Sequence, residues 1–310
     1  MRAYFLKSPE MTLELRDAPQ PQPKPGQQLV RVRAAGLNRG ELLRHGLTKP
    51  GPAKIGGTEG AGELPSGERV MGRLPGSFAE YAVIDESDAI PVPPNLSWEE
   101  AAAIPLTFLV VYDMLVQQGS LKRSEWLLVT GVSAGVGVAA LLAAKALGAN
   151  VIGTSGSAEK LAKLKPLGLD VGIQTRKPDF CDAVMKATGG KGADLVVNNV
   201  GGSVFAECVR ALGYEGRLAT VGYVDGVMQA EMDIEALHSK RLKLFGVSNK
   251  MRNAAQRSVT VQGFVRDFLP LFASGQLKPV IDRVYAFDQL PQAKARMEAD
   301  AHVGKIVVRI

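Results

Sequence analysis

The sequence predicts an α/β protein of two domains, one of them a doubly wound parallel sheet of six strands. Three observations carry this. At 310 residues the chain suits two domains at a prior of about 150 residues each. Thirteen of its 18 prolines fall at or before Pro105, so the first third is turn-rich and poor in helices. From residue 126 onward, short apolar runs alternate with helical ones, the pattern of a parallel sheet covered on both faces.

The elements follow in order. Pro19, Pro21, Pro23 and Pro25 force an extended stretch, since proline has no backbone N–H to give a helix. Around it lie β-like runs at 1–6, 29–34, 69–72 and 81–84, separated by turns such as Pro50-Gly51, Pro65-Ser66-Gly67 and Pro75-Gly76. Ser97-Trp98-Glu99-Glu100 supplies an N-cap and first-turn acids for a helix over 101–103. Strands are then expected at 126–130, 150–154, 171–174, 194–198, 217–221 and 242–247, with helices at 135–147, 159–167, 180–188 and 203–212. After Gly275 β-like runs return at 280–284 and 305–310. The last segment is therefore expected to rejoin the first domain, giving 1–110 with 252–310, and 111–251 as the nucleotide-binding domain.

Composition narrows the function. Hydrophobic residues make up 46% and charged residues 22%, which excludes wholesale disorder. The longest apolar run, at 136–144, ends at Lys145 and is half the length of a membrane span; a cytoplasmic location is expected and no membrane partner. The +6 charge is scattered, so a solvated surface is preferred to a nucleic-acid stripe. Two cysteines, Cys181 and Cys208, and three separated histidines, His45, His238 and His302, make no recognisable metal motif. No metal is expected.

The central motif runs Val129-Thr130-Gly131-Val132-Ser133-Ala134-Gly135-Val136-Gly137-Val138. Gly135 to Ala140 matches G-x-G-x-x-A between a strand and a helix. Small residues there allow a tight turn and close approach of a pyrophosphate, and the helix start offers free N–H groups to the anion. A rival reading shares the letters: Gly131-Val132-Ser133-Ala134-Gly135 fits the G-x-S-x-G elbow of serine hydrolases. Ser133 is then the nucleophile, with Asp194 or Asp225 and His238 or His302 downstream. The proline-rich β stretch before the motif, and Gly137 after it, both oppose that reading.

A site selective for NAD places an acid on the ribose about 20 residues beyond the loop. Here strand two ends Gly153-Thr154-Ser155-Gly156-Ser157, and the first acid is Glu159. Hydroxyls with Lys160 and Arg176 suit a 2′-phosphate, where a charge-assisted hydrogen bond contributes about 1.5–3 kcal/mol. NADPH is therefore expected.

These pieces resemble a known family. Ala35-Gly36-Leu37-Asn38-Arg39, Gly57-Thr58-Glu59-Gly60-Ala61-Gly62, Gly76-Ser77-Phe78-Ala79-Glu80-Tyr81 and Ala101-Ala102-Ala103-Ile104-Pro105-Leu106 precede the glycine loop. Asn199-Val200-Gly201-Gly202 and His302-Val303-Gly304-Lys305-Ile306-Val307 follow it. In this order they resemble the zinc-independent quinone oxidoreductases (zeta-crystallin-like) of the medium-chain dehydrogenase/reductase superfamily. The resemblance implies a GroES-like catalytic domain, a Rossmann domain binding NADPH, and a homodimer. Zinc-dependent relatives carry a cysteine where Asn38 stands and a histidine where Thr58 stands.

The same resemblance implies hydride transfer to a quinone or an enone. Asn38 then reaches the nicotinamide or the acceptor oxygen, or merely caps a loop. Tyr223 donates a proton or walls the pocket. Cofactor contacts are implied for Ser133, Ala134, Gly135, Val136, Gly137, Asn199, Val200 and Gly222. Further contacts are implied for Gly246, Val247, Ser248, Thr154 and Ser155. Thr107 substitutes for a Thr-Ala pair that Val110-Val111 replaces, Leu43 stands where some relatives have an aromatic, and Glu59 resembles a buried structural glutamate. The alternatives are an acyl-CoA enoyl thioester reductase and a non-catalytic NADPH-binding, crystallin-like protein.

Overall fold

In the computed structural model, residues 1–42 and 51–310 are described. Leu43, His45 and the turn at Pro50 lie outside them. The chain forms two units, Met1–Leu109 with Asn253–Ile310, and Val110–Arg252.

In Val110–Arg252 the apolar runs become a six-stranded parallel sheet. Its order is Val171–Gln174, Asn150–Ser155, Trp126–Thr130, Ala193–Asn198, Leu212–Thr220 and Lys243–Gly246. Trp126–Thr130 and Ala193–Asn198 are neighbours, pairing Leu128 with Val196 and Thr130 with Asn198. Strand order reverses between them, and open α/β sheets bind ligands outside the carboxyl ends of strands at such a point. Both strands are almost wholly buried, as central parallel strands must be. One boundary differs from expectation: the helix Phe205–Ala211 stops early and Leu212 already begins a nine-residue strand. Gly213 explains it, because a Cβ there would lie 2.4 Å from the Lys191 carbonyl oxygen.

The other unit is built on a seven-stranded sheet. Ile281–Ala286, Lys305–Arg309, Gln27–Gly36, Glu59–Glu63, Arg69–Arg73 and Ala89–Pro91 lie side by side, and Tyr81–Asp85 also pairs with Gln27–Gly36. The C-terminal strand joins the N-terminal half directly, with Val307 opposite Gly36. A three-stranded sheet of Thr12–Asp17, Arg2–Lys7 and Lys54–Ile55 completes the β structure.

Ser97 caps the helix Trp98–Ala102 in a capping box, its hydroxyl accepting from Glu100 N–H at 3.2 Å while the Glu100 carboxylate accepts from Ser97 N–H at 2.8 Å. A second helix, Pro105–Tyr112, follows at once. Three helices that the β-like text near the C-terminus did not announce, Ala254–Asp267, Leu269–Ala273 and Leu290–Glu298, pack on this unit. Phe264 and Phe272 from the first two, and Phe268 at their junction, are fully buried. Among the described residues no helix is long and apolar enough to cross a membrane.

Candidate functional site

The glycine loop sits at the carboxyl end of Trp126–Thr130, where the helix Gly135–Ala146 begins. Gly131 takes φ +63° to make the turn, a left-handed conformation that glycine adopts without penalty. A Cβ on Gly137 would lie 2.6 Å from the Gly131 carbonyl oxygen and 2.7 Å from that of Val132. Only glycine lets the helix approach the turn this closely. The N-cap Ala134 offers no side-chain hydrogen bond, so the helix start is left to an outside anion. Thr154, expected to touch cofactor, also braces the loop: its hydroxyl accepts from Gly131 N–H at 3.2 Å and its carbonyl from Val132 N–H at 2.9 Å.

The next carboxyl ends gather round the same edge of the sheet. Asn198, whose role the sequence left open, organises one of them. Its Oδ1 accepts from Val200 N–H and Gly201 N–H, both at 3.0 Å, and its Nδ2 donates to the Gly201 carbonyl at 2.9 Å. Asn199 ties this loop to the first strand, donating from Nδ2 to the Thr130 carbonyl at 3.1 Å. Gly222 packs on it, since a Cβ would come within 3.0 Å of the Asn199 oxygen. Val247 N–H donates to the Thr220 carbonyl at 3.0 Å, and the Ser248 hydroxyl accepts from Lys250 N–H at 3.3 Å. The Gly246 carbonyl accepts from Gln118. Tyr223, next to Gly222, is 42% exposed.

Beyond strand two the site is basic and hydroxylated. Ser155 is buried and its hydroxyl accepts from Ser157 N–H at 3.3 Å. Arg176 lies over Gly156, and Ser157 caps the helix Ala158–Leu164 through Lys160 N–H at 3.3 Å. Glu159, the only early acid, is turned to Lys163 at 2.6 Å, and that hydrogen bond holds its carboxyl below the usual range.

Among the described residues, Ser133 has no His, Asp or Glu side chain hydrogen-bonded to its Oγ. Its hydroxyl lies 3.4 Å from that of Ser155. Asp194 sits at the amino end of its strand, accepting from Trp126 N–H at 2.7 Å. Asp225 is spent on Ser203 and Val227.

Asn38 and Thr107 belong to the other unit. Asn38 stands just beyond the strand Gln27–Gly36 and is fully engaged. Its Nδ2 donates to Glu59 Oε1 at 2.9 Å and to Thr58 Oγ1 at 3.3 Å, and its Oδ1 accepts from Lys305 Nζ at 3.0 Å. Thr58 donates in turn to Glu41 Oε2 at 3.1 Å, and Gly57 N–H donates to Glu41 Oε1 at 2.5 Å. Burial pushes the Glu41 carboxyl up to about 7, outweighing those two donors, which favour the anion. Thr107 is buried one residue after Leu106, whose N–H donates to Glu59 Oε2 at 2.8 Å.

A zinc ion does not fit this group. Zinc wants thiolate or imidazole, and here an amide and a hydroxyl stand in those places. The Lys305 ammonium already donates to Asn38 Oδ1 and Glu59 Oε1, the atoms a cation would need. Among the described residues no three His, Cys, Asp or Glu converge to hold a metal. Sequence reasoning missed Lys305 and Glu41; the one signal was a lysine opening the apolar run Ile306-Val307-Val308.

A dinucleotide, by contrast, fits the carboxyl edge of the parallel sheet: an uncapped helix start faces the pyrophosphate position, and hydroxyl and guanidinium groups lie beyond strand two. Comparisons with known proteins agree in kind. The zinc-binding dehydrogenase family model matches residues 135–262. The solved quinone oxidoreductase of Thermus thermophilus, also solved as its complex with NADPH, is 31% identical, with both chains covered in full and a TM-score of 0.86. The human synaptic vesicle membrane protein VAT-1 homolog is 29% identical over 96% of this chain and 83% of its own length. A phenolphthiocerol/phthiocerol polyketide synthase of Mycobacterium tuberculosis is 28% identical over 96% of this chain, which spans 14% of that protein.

Proposed function

Because this chain belongs to the medium-chain dehydrogenase/reductase superfamily, in its quinone oxidoreductase branch, we propose that it is an NADPH-dependent reductase of quinones or α,β-unsaturated carbonyl compounds. The reading is supported by two features of the chain, a dinucleotide-ready glycine loop and, in the other unit, a network in which the Lys305 ammonium donates to Asn38 and Glu59. Without a Lewis acid, alcohol oxidation loses its usual way of stabilising alkoxide charge, and these donors do not suit one. Reduction of an already activated acceptor does not need it.

When bound, NADPH supplies the hydride. The chain's own groups orient and exclude water. The helix start at Gly135 holds the pyrophosphate, and Lys160 and Arg176 take the 2′-phosphate. The backbone from Gly246 to Ser248 meets the carboxamide, and Tyr223 walls the pocket. Ser133, Ala134, Val136, Gly137, Asn199, Val200 and Gly222 shape the backbone path along the cofactor. Thr154 acts by holding the loop. Oxidation of NADPH against a panel of quinones and enones tests the reading.

A second reading, reduction of an enoyl thioester, is favoured by the similarity of nearly the whole chain to polyketide synthases. Saturation by enoyl-CoA substrates but not by quinones would select it. We also propose a homodimer through the strand Lys243–Gly246, which ends its sheet and is mostly exposed. An open sheet edge of this kind is a template for pairing with a second chain. Light scattering giving a 33 kDa particle would refute it.

A further inference from the structure

A wholly buried carboxylate is tolerated only when it is neutralised and hydrogen-bonded. Glu59 is 0% exposed and makes more contacts than that minimum. Oε1 accepts from Lys305 Nζ at 2.5 Å and from Asn38 Nδ2 at 2.9 Å, and Oε2 accepts from Leu106 N–H at 2.8 Å. The Leu106 bond lies in the first turn of the helix Pro105–Tyr112, which carries Thr107. Lys305, also buried, closes the circuit by donating to Asn38 Oδ1 at 3.0 Å and to the Leu37 carbonyl at 2.9 Å.

The Asn38 amide therefore has one orientation. Flipped, its oxygen would oppose the Glu59 carboxylate and its NH2 the Lys305 ammonium. The surroundings hold the carboxylate as tightly. A Cβ on Gly36 would lie 2.7 Å from Glu59 Oε1, and the Ser77 hydroxyl donates to the Glu59 carbonyl at 2.8 Å. Burying an ion pair is a poor way to gain stability, because apolar residues of like volume often do as well. Such a pair does fix geometry, and here it bonds the Asn38 amide directly and the Leu106 N–H one residue before Thr107.

We propose that Glu59 and Lys305 form the positioning element of the active site, a metal-free clamp that sets the Asn38 amide and the helix turn bearing Thr107 in one arrangement. This rests on the reductase reading, and neither residue need touch the substrate. Hydride transfer is sensitive to misplacement of about 1 Å, worth roughly 100-fold in rate, so the clamp shows in turnover more than in cofactor affinity.

The test compares Lys305→Met, Glu59→Gln, their double variant and Lys305→Arg. Each of the two neutralising changes alone strands a buried charge and is expected to lower the melting temperature. The double variant strands none. It is expected to melt near the wild type and to bind NADPH with an unchanged dissociation constant, yet to transfer hydride about 100-fold more slowly in a single turnover. With 15N-asparagine labelling, the Asn38 side-chain amide is expected to exchange slowly in the wild type and rapidly in the double variant. Recovery of both melting temperature and rate in the double variant, or an Asn38 amide that stays protected there, overturns the proposal.

Lys305→Arg keeps the charge but must re-seat the Asn38 oxygen, so a normal melt with slowed transfer is expected even where the double variant does not fold. An unchanged rate in Lys305→Arg also overturns the proposal. Should the wild type reduce no acceptor, the reductase reading fails, and the Asn38 exchange rates alone decide whether the pair positions that amide.

Discussion

The Arg176 side chain lies across the bare backbone of Gly156, so close that a Cβ on the glycine would meet Nε at 2.2 Å and Cγ at 2.6 Å. Gly156 follows the last residue of strand two, where a doubly wound fold receives the ribose. With Glu159 engaged by Lys163, the charge at this end is positive. Arg176→Ala and Lys160→Ala are each expected to weaken NADPH roughly 10- to 100-fold, the worth of one charge-assisted hydrogen bond, and to leave NADH nearly unchanged. Fluorescence titration with both cofactors measures this, and equal losses would contradict a 2′-phosphate site.

Gly137→Ala tests the loop itself. Its new methyl would press on two backbone oxygens, those of Gly131 and Val132, which cannot move aside as a side chain would. Overpacking of this kind costs about 1–3 kcal/mol. The variant is expected to melt lower and to lose most of its NADPH affinity. Retained affinity in the titration would mean that the pyrophosphate does not use this helix start.

Glu41 predicts a pH dependence of stability. Its carboxyl is pushed from 4.5 up to about 7 by burial. Between those values the folded chain keeps a proton that the unfolded chain releases, so this group makes stability fall as pH rises from 4.5 to 7 and adds no further slope above. The burial cost is absent below pH 4.5. Glu41→Gln should therefore melt higher than the wild type at pH 8 and show a smaller loss between pH 5 and 7. A parallel pair of melting curves across that range would refute the assignment.

Both cysteines are expected to be silent towards thiol reagents in the native protein. Cys181 and Cys208 lie in the core cluster of the nucleotide-binding unit, and burial raises both thiols above their usual range. A thiol assay should count two groups only after denaturation. Rapid labelling of the folded chain would show that this core opens.

The parallel sheet was legible because its central strands are short apolar runs set off by glycine or a polar turn, as Trp126–Thr130 is. The glycine loop was legible for the same local reason. What escaped was non-local or weakly patterned. The helix Ala254–Asp267 buries Thr260, Val261, Gly263 and Phe264, a face rich in weak helix formers. The partnership of Glu59 with Lys305 spans 246 residues of sequence and exists only because the last strand pairs beside Gln27–Gly36. The hydrogen bond from Gly131 N–H to the Thr154 hydroxyl joins two strand ends 23 residues apart, and no local motif announces it.

The central claim is reduction of an activated acceptor with NADPH, using no metal. Its most direct measurement is steady-state NADPH oxidation against quinones, enones and enoyl-CoA thioesters, in buffer treated with a strong chelator. The account predicts saturable oxidation with a quinone or enone, at least tenfold slower with NADH at equal concentration and unchanged by the chelator. NADPH that binds but is oxidised no faster with any acceptor present, or activity that the chelator abolishes, would contradict it.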